Sequence, residues 1–226
     1  MSRDREDKLE KQLKDTKEQH SSEICKLIND TIKNDGIVYL TTDWHLFRKD
    51  KDDKRICHPR SDMETVINKM AKLNENDLLI NLGDLVDGEF RGKEQLKELL
   101  SPIKCKQILI IGNNDLFDVP FYKSCGFLYA VQSFVWEDII FSHMPQKDHD
   151  YNMNIHGHIH GYKQYWVPYK DMIDVAYLDG RKEPVPLDKV INALPKYSKV
   201  AVEVPKHFNE FSMFESLFGI QDPYID

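Results

Sequence analysis

Five short polar groups in this chain each follow an apolar run. Thr41-Thr42-Asp43-Trp44-His45 follows Ile37–Leu40, and Gly83-Asp84-Leu85-Val86-Asp87 follows residues 78–82. Gly112-Asn113-Asn114-Asp115 follows 108–111, Ser142-His143 follows 139–141, and His156-Gly157-His158-Ile159-His160 follows Ile155. Each group delivers Asp, Asn or His. Taken singly they are weak signals. A lone histidine after a strand is ordinarily a satisfied core residue, and a GDxxD is ordinary loop chemistry. Five in order, each at the end of an apolar run, do not fit that bland reading. Unpaired carboxylates and imidazoles gathered in one pocket are costly, and cations are their natural partners. Oxygen and imidazole donors without a thiolate suit Mn, Fe, Zn, Ni or Co rather than a structural zinc site. In an extended segment, residues two apart point the same way. That spacing predicts that Asp43 and His45 share a side, that His158 and His160 do too, and that Trp44 faces away into the core. Gly83, Gly112 and Gly157 allow tight turns or close backbone approach.

The elements needed to position these groups are legible. Residues 37–40, 78–80 and 108–111 read as buried strands. Between them, Ser61-Asp62-Met63-Glu64 has the form of a capping box opening a helix with Val66, Ile67, Met70 and Leu73 on one face. Leu96, Leu99, Leu100 and Ile103 mark a second helix. This alternation predicts parallel strands covered by helices. Beyond residue 126 the texture becomes strand-rich: 134–136, 139–141, Ile155, 173–175 and 200–202, with Glu137-Asp138 as a hairpin turn. The fold expected is α/β, a βαβ sandwich of two mixed sheets flanked by helices. In open α/β sheets, ligands bind at the shared carboxyl edge of the strands, where the five polar groups fall.

Three regions are expected: a charged helical appendage over 1–35, a catalytic domain over 36–200, and an aromatic-rich segment over 201–226 that packs on it. In the first, acids and bases interleave at three- and four-residue spacing, as on a solvated helix. Ile24, Leu27, Ile28 and Ile32 then form a stripe that packs on the body. The appendage could also recruit a protein partner. The chain has 226 residues and a net charge of −7, which disfavours binding of long nucleic acids through a basic field, although short ends stay open. No run approaches the ~20 apolar residues of a membrane-spanning helix. The first residues lack the apolar segment of a secretory signal, so the cytoplasm is the expected compartment. The four cysteines form no CxxC pair, which argues against a disulfide framework or a cysteine zinc site.

The series Asp43-x-His45, Gly83-Asp84-x-x-Asp87, Gly112-Asn113-x-Asp115, His143 and Gly157-His158-x-His160 resembles the calcineurin-like metallophosphoesterases, most of all their short bacterial and phage members. The resemblance covers about residues 37–195 and includes His58-Pro59-Arg60-Ser61 and the Pro-Val-Pro-Leu-Asp segment at 184–188. It implies two divalent metal ions, manganese first among Mn, Fe, Ni, Zn and Co. Asp43, His45 and His160 would hold the first ion, Asn113, His143 and His158 the second, and Asp84 would bridge both. Asp87 would orient a ligand or loop, and Asp115 would anchor its own loop. The reaction implied is in-line attack of a metal-bridging hydroxide on phosphorus. One position departs from the pattern. Many members carry His where this chain has Asn114, and a neutral amide cannot act as a general acid. Losing such an acid costs about 10²–10⁴-fold with a poor leaving group. The reading therefore favours small phosphodiester, pyrophosphate or nucleotide-type substrates over alkyl monoesters. The alternatives are a weak or inactive scaffold of the same fold that binds proteins, and a nuclease of the same superfamily. Among other residues, His156 reads as support for the ligands, Arg48, Arg60 and Arg91 as surface arginines, and Asp148 and His149 as lining the mouth.

Overall fold

A computed structural model describes residues 19–47, 63–87, 92–146, 151–160, 172–178, 180–181 and 183–192. The expectations placed on the N-terminal charged stretch, the Ser61-Asp62 cap, Arg48, Arg60, Arg91, Asp148, His149, the 200–202 strand and the C-terminal aromatic segment lie outside these residues.

A helix over residues 19–33 (α1) opens the described chain. Then come β1 (Val38–Thr41), α2 (Met63–Met70), β2 (Leu78–Asn81), α3 (Lys93–Leu100) and β3 (Lys106–Ile110). Next are α4 (Val119–Ser124), β4 (Tyr129–Val131), β5 (Ser133–Trp136), β6 (Ile139–Ser142) and β7 (Met153–His156). The described part closes with β8 (Met172–Asp174), a 3-10 turn over Val175–Leu178, β9 (Val185–Pro186) and a helix over 187–192 (α5). Two sheets result, ordered β4-β3-β2-β1-β9 and β5-β6-β7-β8. In the first, β1 to β4 run parallel and β9 is antiparallel. In the second, only β5 is antiparallel. This is the expected pair of mixed sheets flanked by helices.

The central strands are apolar on both faces because both faces are covered. Val38, Leu40, Leu78, Ile80, Ile108 and Ile110 join Phe134, Phe141, Ile155 and Ile173 in a core between the sheets. Their neighbours of opposite parity, Leu79 and Leu109, turn outward and pack with Val66, Ile67, Met70, Leu96, Leu100 and Phe121 from α2, α3 and α4. The period of two along each strand divides the molecule into these two cores. On α1, Ile24 and Ile28 are fully buried in the inter-sheet core, whereas Ile32 is 50% exposed, so the apolar stripe ends one turn early. Asn29 Oδ1 accepts from Trp136 Nε1 at 2.9 Å, tying α1 to β5.

Several boundaries differ from the sequence reading. Leu73 and Ile103 lie beyond the ends of α2 and α3, and Val175 opens the 3-10 turn instead of closing a strand. The helix α4 and strand β4 were not expected; six and three residues are too short to show a period. The helix nonetheless carries its own start signal, Asp118 accepting from Phe121 N with a proline in the first turn. The Glu137-Asp138 turn joins β5 to β6 with φ of 46° and 67°, the left-handed pair of a tight two-residue hairpin.

Candidate metal centre

The parallel ladder of β1 and β2 does not stop where the strands end. Asp43 N donates to Gly83 O, His45 N to Asp84 O and Leu46 N to Leu85 O, at 2.9, 2.9 and 3.0 Å. This continued pairing sets Asp43 and His45 beside Asp84. All three have positive φ, of 52°, 44° and 51°, and so do His158 at 70° and His160 at 54°. These side chains therefore reach the site from left-handed turns, a conformation costly for non-glycine residues and concentrated at functional sites. The extended geometry invoked for the two-residue spacing is absent. The residues still converge, because the turns redirect each side chain separately.

Two groups of donors form. Asp43, His45, Asp84 and His160 each offer one ligand atom, all within 4.8 Å of one another, and Asp84, His143 and His158 do the same. His160 Nε2 lies 3.3 Å from Asp43 Oδ1 and 3.1 Å from His45 Nε2. Asp84 stands between the groups. Its Oδ2 is 3.5 Å from His45 Nε2 and its Oδ1 is 3.4 Å from His143 Nε2. His143 Nε2 is also 3.0 Å from Asn113 Oδ1 and 3.3 Å from His158 Nδ1. His158 and His160, expected to share a side, thus serve different groups.

The surroundings hold this arrangement. Asp43 and Asp84 are fully buried. Burial alone would raise their pKa values, but His160 holds Asp43 well below the usual carboxylate range, and His143 does the same for Asp84. Burial pushes His45 down to about 3 and also lowers His158. For His143 burial works in the same direction, yet the Asp84 carboxylate prevails and pushes it up to about 9. His143 Nδ1 contacts Leu82 O at 2.8 Å, which fixes the ring and leaves Nε2 toward Asp84. Thr42 Oγ1 donates to Asp43 Oδ2 at 2.7 Å, and His158 N donates to both Asp43 oxygens. Side chains are excluded at the tightest approaches: a Cβ on Gly157 would sit 1.9 Å from Thr42 Oγ1, and one on Gly112 would sit 2.3 Å from Asp84 Oδ1.

Divalent cations fit this donor set. Two buried carboxylates stay ionised, and imidazole nitrogens face one another at hydrogen-bond distance, His45 Nε2 against His160 Nε2 and His143 Nε2 against His158 Nδ1. Facing lone pairs of this kind repel unless a proton or a metal lies between them.

The remaining expected site residues surround the two groups. Asp115 Oδ1 accepts from Leu85 N and Val86 N, and Oδ2 accepts from Gly112 N, at 3.0, 3.3 and 2.9 Å. Burial, then the nearby Asp84 charge, pushes its carboxyl up to about 7 despite those donors. Asn114 donates to Asp84 twice, from its backbone N to Oδ1 at 2.9 Å and from Nδ2 to Oδ2 at 2.8 Å. Asp87 joins neither group; its backbone N donates to Leu46 O. His156 also stays out, with Nδ1 at 2.8 Å from Gly157 O, and burial lowers it to about 4. Trp44 is core packing and donates Nε1 to Thr41 Oγ1. Two residues were not singled out from sequence. Asn154, fully buried on β7, accepts from Gln146 N and donates to Ile140 O and Ser142 Oγ, holding the loop after His143. Arg181 is 4% exposed and donates Nε to Asp43 O. A lone Asn in a strand or Arg in a turn carries no periodic signal that could have marked either.

Residues 37–212 match the family model described as calcineurin-like phosphoesterase. The chain belongs to that family. Among solved structures, this calcineurin-like phosphoesterase is similar to a protein of unknown function from Aquifex aeolicus, at 19% identity and a TM-score of 0.49, covering 70% of this chain and 98% of that one. It is also similar to the nuclease MPE of Pseudomonas putida, at 22% identity and a TM-score of 0.40, covering 54% of this chain and 60% of that one. No curated protein matches it. Among the described residues of this family member, no helix is long and apolar enough to cross a membrane.

Proposed function

We propose that this calcineurin-like phosphoesterase is a two-metal hydrolase that cleaves phosphodiester or pyrophosphate bonds in small, nucleotide-type substrates. The observation that carries the reading is the placement of Asp84, with one carboxylate oxygen toward each donor group. Asp43, His45 and His160 with Asp84 Oδ2 would hold one ion. Asn113, His143 and His158 with Asp84 Oδ1 would hold the other. Divalent ions bound there would supply an acidified water as nucleophile and neutralise charge developing on the phosphoryl oxygens. The chain's part is orientation. Leu82 O fixes the His143 ring, Thr42 Oγ1 and His158 N fix Asp43, and Asn114 fixes Asp84 through two donors. Two carboxylates do not neutralise two divalent ions, so the site stays electropositive and attracts an anionic phosphate.

Asn114 sets the preference among bonds. Its amide donates a hydrogen bond but transfers no proton to a leaving group, so good leaving groups are favoured. The test is a substrate panel with the metal varied, in which aryl phosphodiesters and dinucleoside polyphosphates compete with alkyl monoesters, run also on Asn114→His. The reading expects metal-dependent turnover of the diesters and a rise in relative monoesterase activity in the variant. No turnover with any divalent ion would overturn the enzyme; an unchanged monoester-to-diester ratio would remove the role given to Asn114.

A further inference from the structure

The two ends of the first donor group come from different sheets. Asp43 follows β1 of the first sheet, and His160 follows β7 of the second. Their side chains meet only while the two loops keep their distance, which His158 N, donating to both Asp43 carboxylate oxygens, holds from within the site. Arg181 spans that distance too. It belongs to neither loop and lies between the 3-10 turn and β9. Its Nε donates to Asp43 O at 3.4 Å and its Nη1 to His160 O at 3.5 Å, while Nη2 is buried without a partner among the described residues.

The backbone that presents Arg181 is itself clamped. Gly180 O accepts from Thr41 Oγ1 at 2.6 Å and from Thr42 N at 3.2 Å, and Gly180 N donates to Val175 O at 3.1 Å. A Cβ at Gly180 would lie 2.4 Å from Val175 Cγ1. Residues 180–181 thus grip the 41–43 loop on one side and reach across to His160 on the other. A guanidinium suits this work. Its donors form a rigid planar fork, whereas an ammonium is a point charge on a flexible stem.

We propose that Arg181 is a positioning residue that holds the Asp43 and His160 backbones at a fixed separation and thereby sets the affinity of the first metal ion. This rests on the two-metal reading given above. Sign separates the role from a purely electrostatic one. A buried cation beside a cation site repels the metal, so removing its charge would tighten binding if charge were its only effect. Loss of the fork loosens binding.

The test uses the full chain, stripped of metal and titrated with Mn²⁺ alone, as wild type, Arg181→Lys and Arg181→Gln. Calorimetry reads the affinity of each equivalent, electron paramagnetic resonance reads whether two ions are coupled, and thermal unfolding of the metal-free forms reads stability. Disturbing the groups that orient ligands typically weakens metal binding by about 10–100-fold. The expected result is a loss of that size in both variants, confined to one of two equivalents, with the coupled Mn²⁺ signal appearing only at higher loading. Wild-type affinities in both variants would overturn the proposal, as would tighter binding in Arg181→Gln beside unchanged binding in Arg181→Lys. Equal weakening at both equivalents, or failure of both variants to fold, would make Arg181 a plain stability residue and also overturn it. A wild-type chain that takes up no Mn²⁺ would instead remove the two-metal reading beneath it.

Discussion

Asp115 is the best example of a side chain whose work is done on backbone. Its three hydrogen bonds to Leu85 N, Val86 N and Gly112 N tie the loop carrying Asp84 to the loop carrying Asn113. Asp115→Ala leaves three buried donors without acceptors. At about 1–3 kcal/mol each, not fully additive, a loss near 3 kcal/mol is expected in denaturant unfolding; a loss below about 1 kcal/mol would disprove the anchoring role. The thiols offer a test at the same scale. Burial pushes the Cys105 thiol up to about 12 from an ordinary value of 9, helped by the charge of Asp77. A raised thiol favours the folded state fully below its unfolded value, and that contribution fades as pH climbs from 9 toward 12. Iodoacetamide at pH 8 should therefore label Cys105 only after unfolding, as read by peptide mass; rapid native labelling would contradict the burial.

At the scale of elements, the close approaches between loops decide whether the site assembles. The Gly157 position has no room for a methyl group beside Thr42 Oγ1 and Asp43 Oδ2. Gly157→Ala must displace the His158–His160 turn or Asp43, and a misplacement near 1 Å costs about 10²-fold in rate. The expectation is at least that loss in kcat/KM on an aryl phosphodiester, with secondary structure unchanged by circular dichroism. Behind the loops, the second sheet depends on its aromatic packing. Phe141 is fully buried and stacks on Phe134 with ring centroids 4.7 Å apart. Phe141→Ala should cost about 3–5 kcal/mol of stability, measured by urea unfolding.

For the molecule as a whole, metal binding and folding are linked. The donors come from loops after β1, β2, β3, β6 and β7, so the site exists only when both sheets are formed and packed. A ligand bound only by the folded state, at 100 times its dissociation constant, stabilises by about 2.7 kcal/mol. Chelation should lower the Tm by several degrees, and added Mn²⁺ should restore it. A Tm indifferent to both treatments would count against any metal bound at this centre.

How much of this was legible in the sequence follows from range. Continuous apolar runs at Val38–Leu40, Leu78–Ile80 and Ile108–Ile110, and helical spacing in α2 and α3, need only neighbouring residues, so these elements and the α/β class could be read directly. The donor types were legible too, as Asp, Asn and His at the ends of apolar runs, and the resemblance implied which of them, Asp43, His45, Asp84, Asn113, His143, His158 and His160, would hold metal. The resemblance had already implied how these donors divide between two ions; only the tertiary structure decided that Asn114 binds Asp84 and that Arg181 joins two loops. Those pairings depend on left-handed turns and on the register between two sheets. Both are fixed by packing among residues far apart in the chain, and a one-dimensional pattern does not encode the distance between them.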